Sequence, residues 1–228
     1  MFANISARYD LLNHLLSAGI DQRWRLKVTG LLPVTSGSRI LDVACGTGDL
    51  AFTLANITEA RVVGADFCRP MLEVAQRKGV NKAVTFVEGD ALHLPFPDHS
   101  FEGVTIAFGL RNLSSFEGGL AELLRVTKPG GRVVVLEFSR PTVAGFRAVF
   151  NFYFHRVLPL LGGVVSGSMS AYKYLPNSVS RFPDQPQLAA LMRDVGFEEV
   201  DYSNLTGGIA AIHHGRKPSK SKSLVADY

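Results

Sequence analysis

Short runs of β-branched and aliphatic residues alternate with helix-length segments from Arg39 to Phe138, and this alternation constrains the fold most strongly. Strands separated by single short helices are joined by right-handed crossovers, so they lie parallel in a sheet with helices on both faces. The expected elements are strands Arg39–Ala44, Arg61–Asp66, Val84–Glu88, Val104–Phe108 and Arg132–Phe138, and helices Asp49–Ile57, Pro70–Lys78 and Phe116–Thr127. The predicted class is α/β, doubly wound and mainly parallel.

Two segments before the first strand have helical periodicity. Ile5–Ser17 and Asp21–Leu32 are expected to form an N-terminal helical cap, residues 1–36, over the edge of the sheet where a ligand binds. The first residues, Met1–Asp10, lack the basic start and long apolar run of a secretory signal, so we expect a cytoplasmic protein.

The C-terminal part is expected to complete the sheet. A helix after Pro186 leads to strands Glu199–Leu205 and Ile209–His213, and two glycines between the strands predict a hairpin. All of these elements predict one domain over residues 1–215. Residues 216–228 are rich in Lys and Ser and poor in apolar side chains, which predicts a disordered basic tail.

Charge and cysteine content exclude several classes of protein. Lys and Arg number 24 against 20 for Asp and Glu, and four of these cations lie in the tail. No basic surface for nucleic acid is therefore indicated. Cys45 and Cys68 belong to no CxxC or Cys/His cluster, so we expect neither a disulfide framework nor a metal site. Such cysteines fit a reducing compartment.

The most apolar stretch, Val143–Val165, has the length of a membrane-spanning helix. It contains Arg147, Arg156 and the helix breaker Pro159, so we expect that it does not span a membrane. Its aromatic residues are expected to cover an apolar ligand, to rest on a bilayer surface or to pack as an ordinary core helix.

The sharpest local signal is Leu41–Asp49, a strand that ends in a Gly-x-Gly turn and opens a helix. Gly46 and Gly48 let the backbone approach a ligand at the carboxyl edge of the sheet, where such folds bind nucleotides. Asp66, at the end of the second strand, is placed to accept hydrogen bonds from ribose hydroxyls. This pattern alone fits a dinucleotide, a nucleoside cofactor without phosphate, or a plain strand-to-helix turn.

Negative charge near the turn distinguishes between a dinucleotide and a nucleoside cofactor without phosphate. Asp42 lies within the motif and Asp49 opens the helix where a pyrophosphate would lie, so a dinucleotide would be repelled. S-adenosylmethionine is cationic at its ammonium and sulfonium and has no phosphate, so the same carboxylates favour it. After the third strand, Asp90 is a candidate acceptor for the adenine amino group and Ala91 a candidate wall for the ring. A helix N-cap is the alternative for Asp90.

These motifs, taken with Lys128–Gly131, resemble the class I S-adenosylmethionine-dependent methyltransferases. The resemblance implies a Rossmann-like sheet of seven strands whose last strand is antiparallel. It also implies S-adenosylmethionine as cofactor, S-adenosylhomocysteine as product and no metal. The cofactor-binding positions that it implies are Asp42, Gly46, Thr47, Gly48, Asp66, Asp90, Ala91 and Ala107.

A narrower resemblance, to the C-methyltransferases of menaquinone and ubiquinone biosynthesis, covers nearly all of the chain except the tail. The segments that carry it are Tyr9–Asn13, Phe108–Asn112, Arg125–Ser139 and Tyr172–Pro183, the last within a lid at residues 140–183. The implied substrate is a prenylated quinol, and the implied reaction is methylation of a carbon of its ring.

The ring carbon of such a substrate becomes nucleophilic in the reduced form, and more so as a phenolate. We expect Arg111 to stabilise the phenolate while Tyr9 and Asn112 orient the ring. A pair between Arg111 and Asp10 and core packing of Tyr9 are the alternatives. Because no histidine lies in these motifs, the general base stays open, with Asp10 or Asp66 acting through water as weak candidates.

Short loops resemble those of the enzymes that methylate demethylmenaquinol, so we favour this substrate, with a ubiquinone-pathway or dual enzyme as the alternative. The prenyl chain implies peripheral contact with the inner membrane surface, and single-domain methyltransferases often form homodimers. A short-chain oxidoreductase would share the glycine turn, but Val104–Leu158 contains no Tyr-x-x-x-Lys pair. A non-catalytic methyltransferase-like scaffold also stays open, because Asp21 and Phe67-Cys68 depart from the family pattern.

Overall fold

The computed structural model describes residues 19–79, 84–142, 145 and 178–219, which contain a seven-stranded sheet and five α-helices longer than one turn. The helices are α1 Ile20–Thr29, α2 Asp49–Ile57, α3 Arg69–Lys78, α4 Phe116–Val126 and α5 Gln185–Val195. The strands are β1 Arg39–Val43, β2 Arg61–Asp66, β3 Val84–Glu88, β4 Phe101–Ala107, β5 Thr127–Phe138, β6 Glu198–Leu205 and β7 Ala210–Arg216.

The strand order is β3-β2-β1-β4-β5-β7-β6. Strands β1 to β5 run parallel to one another, whereas β7 is antiparallel to both β5 and β6. The predicted class, a mainly parallel seven-stranded sheet with an antiparallel last strand, is therefore confirmed. The order reverses between β1 and β4, and in open α/β sheets this switch point opens a crevice at the carboxyl ends of the strands.

Alternating residues of the central strands face two separate cores. On one face, Leu41 of β1 and Ile106 of β4 pack with apolar residues of α4 and α5. On the other face, Ile40 of β1 and Leu136 of β5 pack with apolar residues of α1 and α2, including Trp24. Because both faces are covered, the strands read as nearly continuous apolar runs, and polar side chains concentrate where the strands end.

The start of β5 corrects one prediction. The strand was expected to begin at Arg132, after Pro129-Gly130-Gly131, but β5 already begins at Thr127. Gly130 has a φ of +78°, and the register of the β4–β5 pair shifts between Phe101 and Gly103. The strand therefore passes through the glycines as a local irregularity, and the carbonyl of Gly131 accepts a hydrogen bond from the backbone of Lys217.

The beginning of the predicted basic tail is also ordered. Arg216 ends β7 and forms an ion pair with Glu199, with 2.7 Å between nitrogen and oxygen. The Nζ of Lys217 donates to the carbonyl oxygens of Leu124 and Arg125 at the end of α4, a common way to satisfy the last carbonyls of a helix. Disorder predicted from residue 216 onward is thus wrong at its first two residues, and residues 220–228 lie outside the described part.

Several predicted features fall outside the described residues: the helix Ile5–Ser17, the apolar stretch Val143–Val165 apart from Gly145, and most of the lid at 140–183. The second half of the predicted cap is present as α1. Among the described residues, no helix is long and apolar enough to cross a membrane.

Candidate active site

A cleft lies at the carboxyl edge of the sheet, where β1, β2, β3 and β4 end. Its empty space, including the open mouth, is about 760 Å³. The described residues that line it are Ala44, Gly46, Asp66, Phe67, Cys68, Met71, Gly89, Asp90, Ala91, Ala107, Phe108, Gly109, Asn112 and Leu113. Each of the four strand ends therefore contributes to one cavity, as the parallel topology requires.

The glycine turn after β1 is held in place by backbone hydrogen bonds. Gly48 has a φ of +87°, and a Cβ there would lie 2.9 Å from the ring of Phe52, so only glycine fits without strain. The N–H of Gly46 donates to the carboxylate of Asp66 at 2.8 Å. The turn is thereby joined to the end of β2, and Gly46 faces the cleft.

Asp66 connects two loops while it faces the cleft. One carboxylate oxygen accepts from Gly46, and the other accepts from the backbone N–H of Cys68 at 2.8 Å. Burial raises the pKa of Asp66, and these backbone hydrogen bonds oppose that rise. A carboxylate oxygen can accept more than one hydrogen bond, so Asp66 can still bind hydroxyl groups of a ligand in the cleft.

Asp90 lies in the turn after β3 and begins no helix there, so the helix N-cap alternative is wrong. Its Oδ1 accepts from the backbone N–H of Leu92 at 2.9 Å, which stabilises the turn after β3. The same residue lines the cleft, beside the buried Ala91. Phe67, Met71 and other apolar side chains complete the walls, and the ring of Phe67 is 66% exposed.

Asp42 and Asp49, the carboxylates expected to favour a cationic cofactor, have partners within the protein. Asp42 is only 1% exposed and lies under the cleft, where it accepts a hydrogen bond from the hydroxyl of Thr105 at 2.9 Å. Burial is the main cause that raises its pKa to about 7. Asp49 forms an ion pair with Lys78 at 2.8 Å. Neither lines the described part of the cleft, so the electrostatic role expected of this pair stays a prediction.

The carboxylates in the described lining of the cleft are Asp66 and Asp90. Both line the cleft, and its described lining includes no Lys or Arg. A ligand with phosphate groups would meet two carboxylates and no cation there, whereas a cationic nucleoside would be attracted. Acceptors for hydroxyl and amino groups beside apolar walls for an aromatic base fit S-adenosylmethionine, so the residues present suit this cofactor.

The turn after β4 contains the predicted catalytic pair. Leu110–Asn112 form one turn of 3₁₀ helix. Asn112 lines the cleft, and its side-chain amide donates to the carbonyl of Phe108 at 3.3 Å. Phe108 has a φ of +57°, which is uncommon for a residue with a bulky side chain. Such strained backbone is typical of functional sites.

The side chain of Arg111 is directed toward Glu137. Its guanidinium forms an ion pair with Glu137, with 2.5 Å between Nη1 and Oε1, and is 7% exposed. It also lies over the ring of Phe138 and does not line the described part of the cleft. The expected alternative partner, Asp10, and the third predicted catalytic residue, Tyr9, lie outside the described residues.

The structure therefore brings most of the predicted site together. The predicted residues that line the cleft are Gly46, Asp66, Asp90, Ala91, Ala107 and Asn112, and those that do not are Asp42, Thr47, Gly48 and Arg111. Sequence reasoning missed the partner of Arg111. Glu137 is the penultimate residue of β5, and Asp66 is the last residue of β2. This position near a strand end was a signal that could have identified Glu137.

Comparison with known proteins gives a family. The model of the ubiE/COQ5 methyltransferase family matches residues 1–217. A demethylmenaquinone methyltransferase of Thermus thermophilus is 53% identical over 221 residues, which are 96% of this chain and 100% of the relative. A ubiquinone/menaquinone biosynthesis C-methyltransferase of Geobacter sulfurreducens is 45% identical over 226 residues, 96% of this chain and 88% of the relative.

Solved structures agree with the fold. A protein from Thermotoga maritima described as a SAM-dependent methyltransferase has a TM-score of 0.67 at 24% identity, covering 95% of this chain and 98% of that one. A methyltransferase in complex with the activator Trm112 of Haloferax volcanii has a TM-score of 0.70 at 16% identity, covering 96% and 98%. At these identities the likeness concerns the fold alone.

Proposed function

The chain belongs to the ubiE/COQ5 methyltransferase family, and from this premise we propose that it methylates a ring carbon of a prenylated demethylmenaquinol with S-adenosylmethionine. The observation that carries the proposal is the 53% identity, over the whole length of the relative, to a protein named demethylmenaquinone methyltransferase. The family resemblance predicted from the motifs is thus confirmed, and the chain is a methyltransferase.

Residues at the ends of β2 and β3 are proposed to hold the cofactor, which supplies an electrophilic methyl group when it is bound. The free acceptor capacity of Asp66 suits the ribose hydroxyls, and Asp90 suits an amino group. Ala91, Met71 and Leu113 offer apolar surface to the base. The carboxylates also attract positive charge into a cleft that is partly shielded from water.

The turn after β4 is proposed to orient the substrate ring. Asn112 faces the cleft and can bind a ring oxygen, and Tyr9 is proposed to contact the ring from the cap. Arg111 is neutralised by Glu137 and does not line the described part of the cleft, so a direct contact between Arg111 and the phenolate stays a prediction. Alignment of the ring carbon with the methyl group is the main contribution that this chain can make to the reaction.

A dual activity is the second candidate. The Geobacter sulfurreducens relative, whose name includes both ubiquinone and menaquinone biosynthesis, is 45% identical. We favour the naphthoquinol because the relatives from Thermus thermophilus and Deinococcus radiodurans, at 53% and 49% identity, are both named for demethylmenaquinone.

A turnover assay with two quinols tests these proposals. The protein is incubated with methyl-labelled S-adenosylmethionine and either reduced demethylmenaquinol or a reduced demethylated ubiquinol precursor, with the oxidised quinones as controls. We expect product from the naphthoquinol and none from either oxidised quinone. Product from both quinols would establish a dual enzyme. Binding of the cofactor without methylation of either quinol would favour the scaffold.

We also propose that the protein meets its prenylated substrate at the inner surface of the membrane. Helix α1 exposes Leu26, at 50%, together with Arg23 and Lys27, and an apolar side chain beside cations suits an anionic lipid surface.

Flotation with vesicles that contain anionic lipid tests this contact. We expect Leu26→Ser to reduce flotation, whereas Ile57→Ser, at another exposed apolar residue, does not. Wild-type protein left in the soluble fraction would contradict the proposal.

A further inference from the structure

Glu137 is a buried carboxylate that makes three hydrogen bonds at the end of β5. Its Oε1 accepts from Nη1 of Arg111 at 2.5 Å and from the backbone N–H of Phe138 at 2.8 Å. Its Oε2 accepts from the backbone N–H of Arg111 at 3.3 Å. The side chain of Glu137 is 2% exposed. Because it binds both the backbone N–H and the guanidinium of Arg111, it fixes the backbone and the side chain of that residue.

Arg111, held by Glu137, in turn contacts the residues of the turn after β4. Its Nη1 also donates to the carbonyl of Phe108 at 2.6 Å, and its guanidinium lies 5.3 Å from the centre of the Phe138 ring. The same carbonyl accepts from the side chain of Asn112, while the N–H of Phe108 donates to Leu136. Three hydrogen bonds thus hold Phe108 at its positive φ.

The turn held in this way faces the cleft. Phe108, Gly109 and Asn112 line it, whereas neither Arg111 nor Glu137 lines its described part. A buried ion pair often contributes little net stability compared with an apolar pair, but removal of one partner leaves an unpaired buried charge. Among the described residues, the buried Nε of Arg111 has no hydrogen-bond partner, so the loss of Glu137 would free the guanidinium to move.

We propose that Glu137 is a positioning residue for methyl transfer, which acts through Arg111 to hold Phe108 and Asn112 in the orientation that receives the substrate ring. This inference rests on the proposed function. It assigns to the buried pair a role in geometry rather than in cofactor binding, because Asp66 and Asp90 lie at other strand ends.

A second Arg–Glu pair provides a matched control. Glu122 accepts from Arg125 at 2.7 Å and from the backbone N–H of Leu94 at 2.6 Å. Like Glu137, it connects an arginine to a loop backbone, but neither Glu122 nor Arg125 lines the cleft. Glu122→Gln therefore removes an Arg–Glu pair, one that is less buried and whose Arg125 also pairs with Asp98, without changing the turn after β4.

The test measures Glu137→Gln and Glu122→Gln for affinity for S-adenosylhomocysteine, unfolding midpoint, and kcat and KM with demethylmenaquinol. We expect both variants to bind S-adenosylhomocysteine like the wild type. Since a misplacement of about 1 Å can lower a rate roughly 100-fold, we expect kcat of Glu137→Gln to fall about 10- to 100-fold, while Glu122→Gln retains its kcat. Glu137→Asp, which keeps the charge, should recover part of the loss.

A double variant tests whether Glu137 acts through Arg111. If it does, Glu137→Gln combined with Arg111→Met loses no more activity than Arg111→Met alone. The effects of substitutions at residues in direct contact are not additive. Additive losses, or an unchanged kcat in Glu137→Gln, would overturn the inference. Should Glu137→Gln fail to fold, Glu137→Asp takes its place in the same comparison. Wild-type protein that methylates no quinol would overturn the proposed function, and this inference with it.

Discussion

Asp66 and Glu137 are both buried carboxylates at the ends of parallel strands, but they are satisfied in different ways. Asp66 accepts from the backbone N–H groups of Gly46 and Cys68 and faces the cleft. Glu137 is paired with the side chain of Arg111 and does not line the described part of the cleft. Burial raises the pKa of both groups.

The difference separates two halves of the site. At the end of β2, the backbone satisfies the carboxylate and leaves its remaining acceptor capacity for a ligand. Near the end of β5, the carboxylate of Glu137 accepts hydrogen bonds from Arg111 and Phe138. It therefore positions the turn after β4 rather than binding a ligand. A variant in the first half should therefore affect cofactor binding, and a variant in the second half should affect turnover.

Asp66→Ala should have the largest effect. It removes the acceptor for two backbone N–H groups and for the ribose hydroxyls, and hydrogen bonds to a charged group contribute about 1.5–3 kcal/mol each. We expect affinity for S-adenosylhomocysteine to fall by roughly 100-fold or more, as measured by titration calorimetry. Glu88→Ala, at the exposed carboxylate opposite Asp66 in β3, is the control. Equal affinity in Asp66→Ala and wild type would remove Asp66 from the cofactor site.

Asp42→Asn should have a smaller effect, and on stability. Asp42 has a pKa of about 7 in the folded protein against an ordinary value of 3.8. A raised pKa adds stability that is fully present below the ordinary value and is lost as the pH rises through about 7. From pH 5 to pH 8, the variant should gain about 2 kcal/mol relative to wild type.

Urea unfolding of both proteins at the two pH values measures this change. Asp49→Asn serves as the control, because its carboxylate is partly exposed and paired with Lys78. If the free-energy difference between Asp42→Asn and wild type is the same at both pH values, the carboxylate of Asp42 does not titrate in this range.

Asp49→Asn should have the smallest effect. The pair with Lys78 is partly exposed, and such pairs contribute at most about 1 kcal/mol. Because Asp49 does not line the cleft, we expect affinity for S-adenosylhomocysteine to change less than about twofold, which is under 0.5 kcal/mol. A tenfold loss would show that Asp49 does contribute to the charge of the site.

The sequence predicts the cofactor half of the site better than the turn after β4, for a physical reason. Asp66 ends β2 and Asp90 lies two residues after β3, and parallel strands bring their carboxyl ends to one edge. Their positions therefore follow from the strand pattern alone. Arg111 and Glu137 are 26 residues apart, and their pairing depends on the side-chain packing of β4 against β5.

Two further differences have the same origin. Pro129-Gly130-Gly131 is typical of a turn, but the neighbouring strand and Lys217 satisfy its backbone, so it continues β5. Arg216 belongs by composition to a tail, yet it pairs with Glu199 and completes β7. In both cases contacts between distant residues outweigh the local sequence signal.

The most direct test of the central claim is the position of the transferred methyl group. The protein is incubated with S-adenosylmethionine labelled with ¹³C in the methyl group and reduced demethylmenaquinol, and the product is examined by NMR. We predict that the label is bonded to a ring carbon and that S-adenosylhomocysteine forms in equal amount. Label on a ring oxygen, or S-adenosylhomocysteine without methylated quinol, would contradict the account.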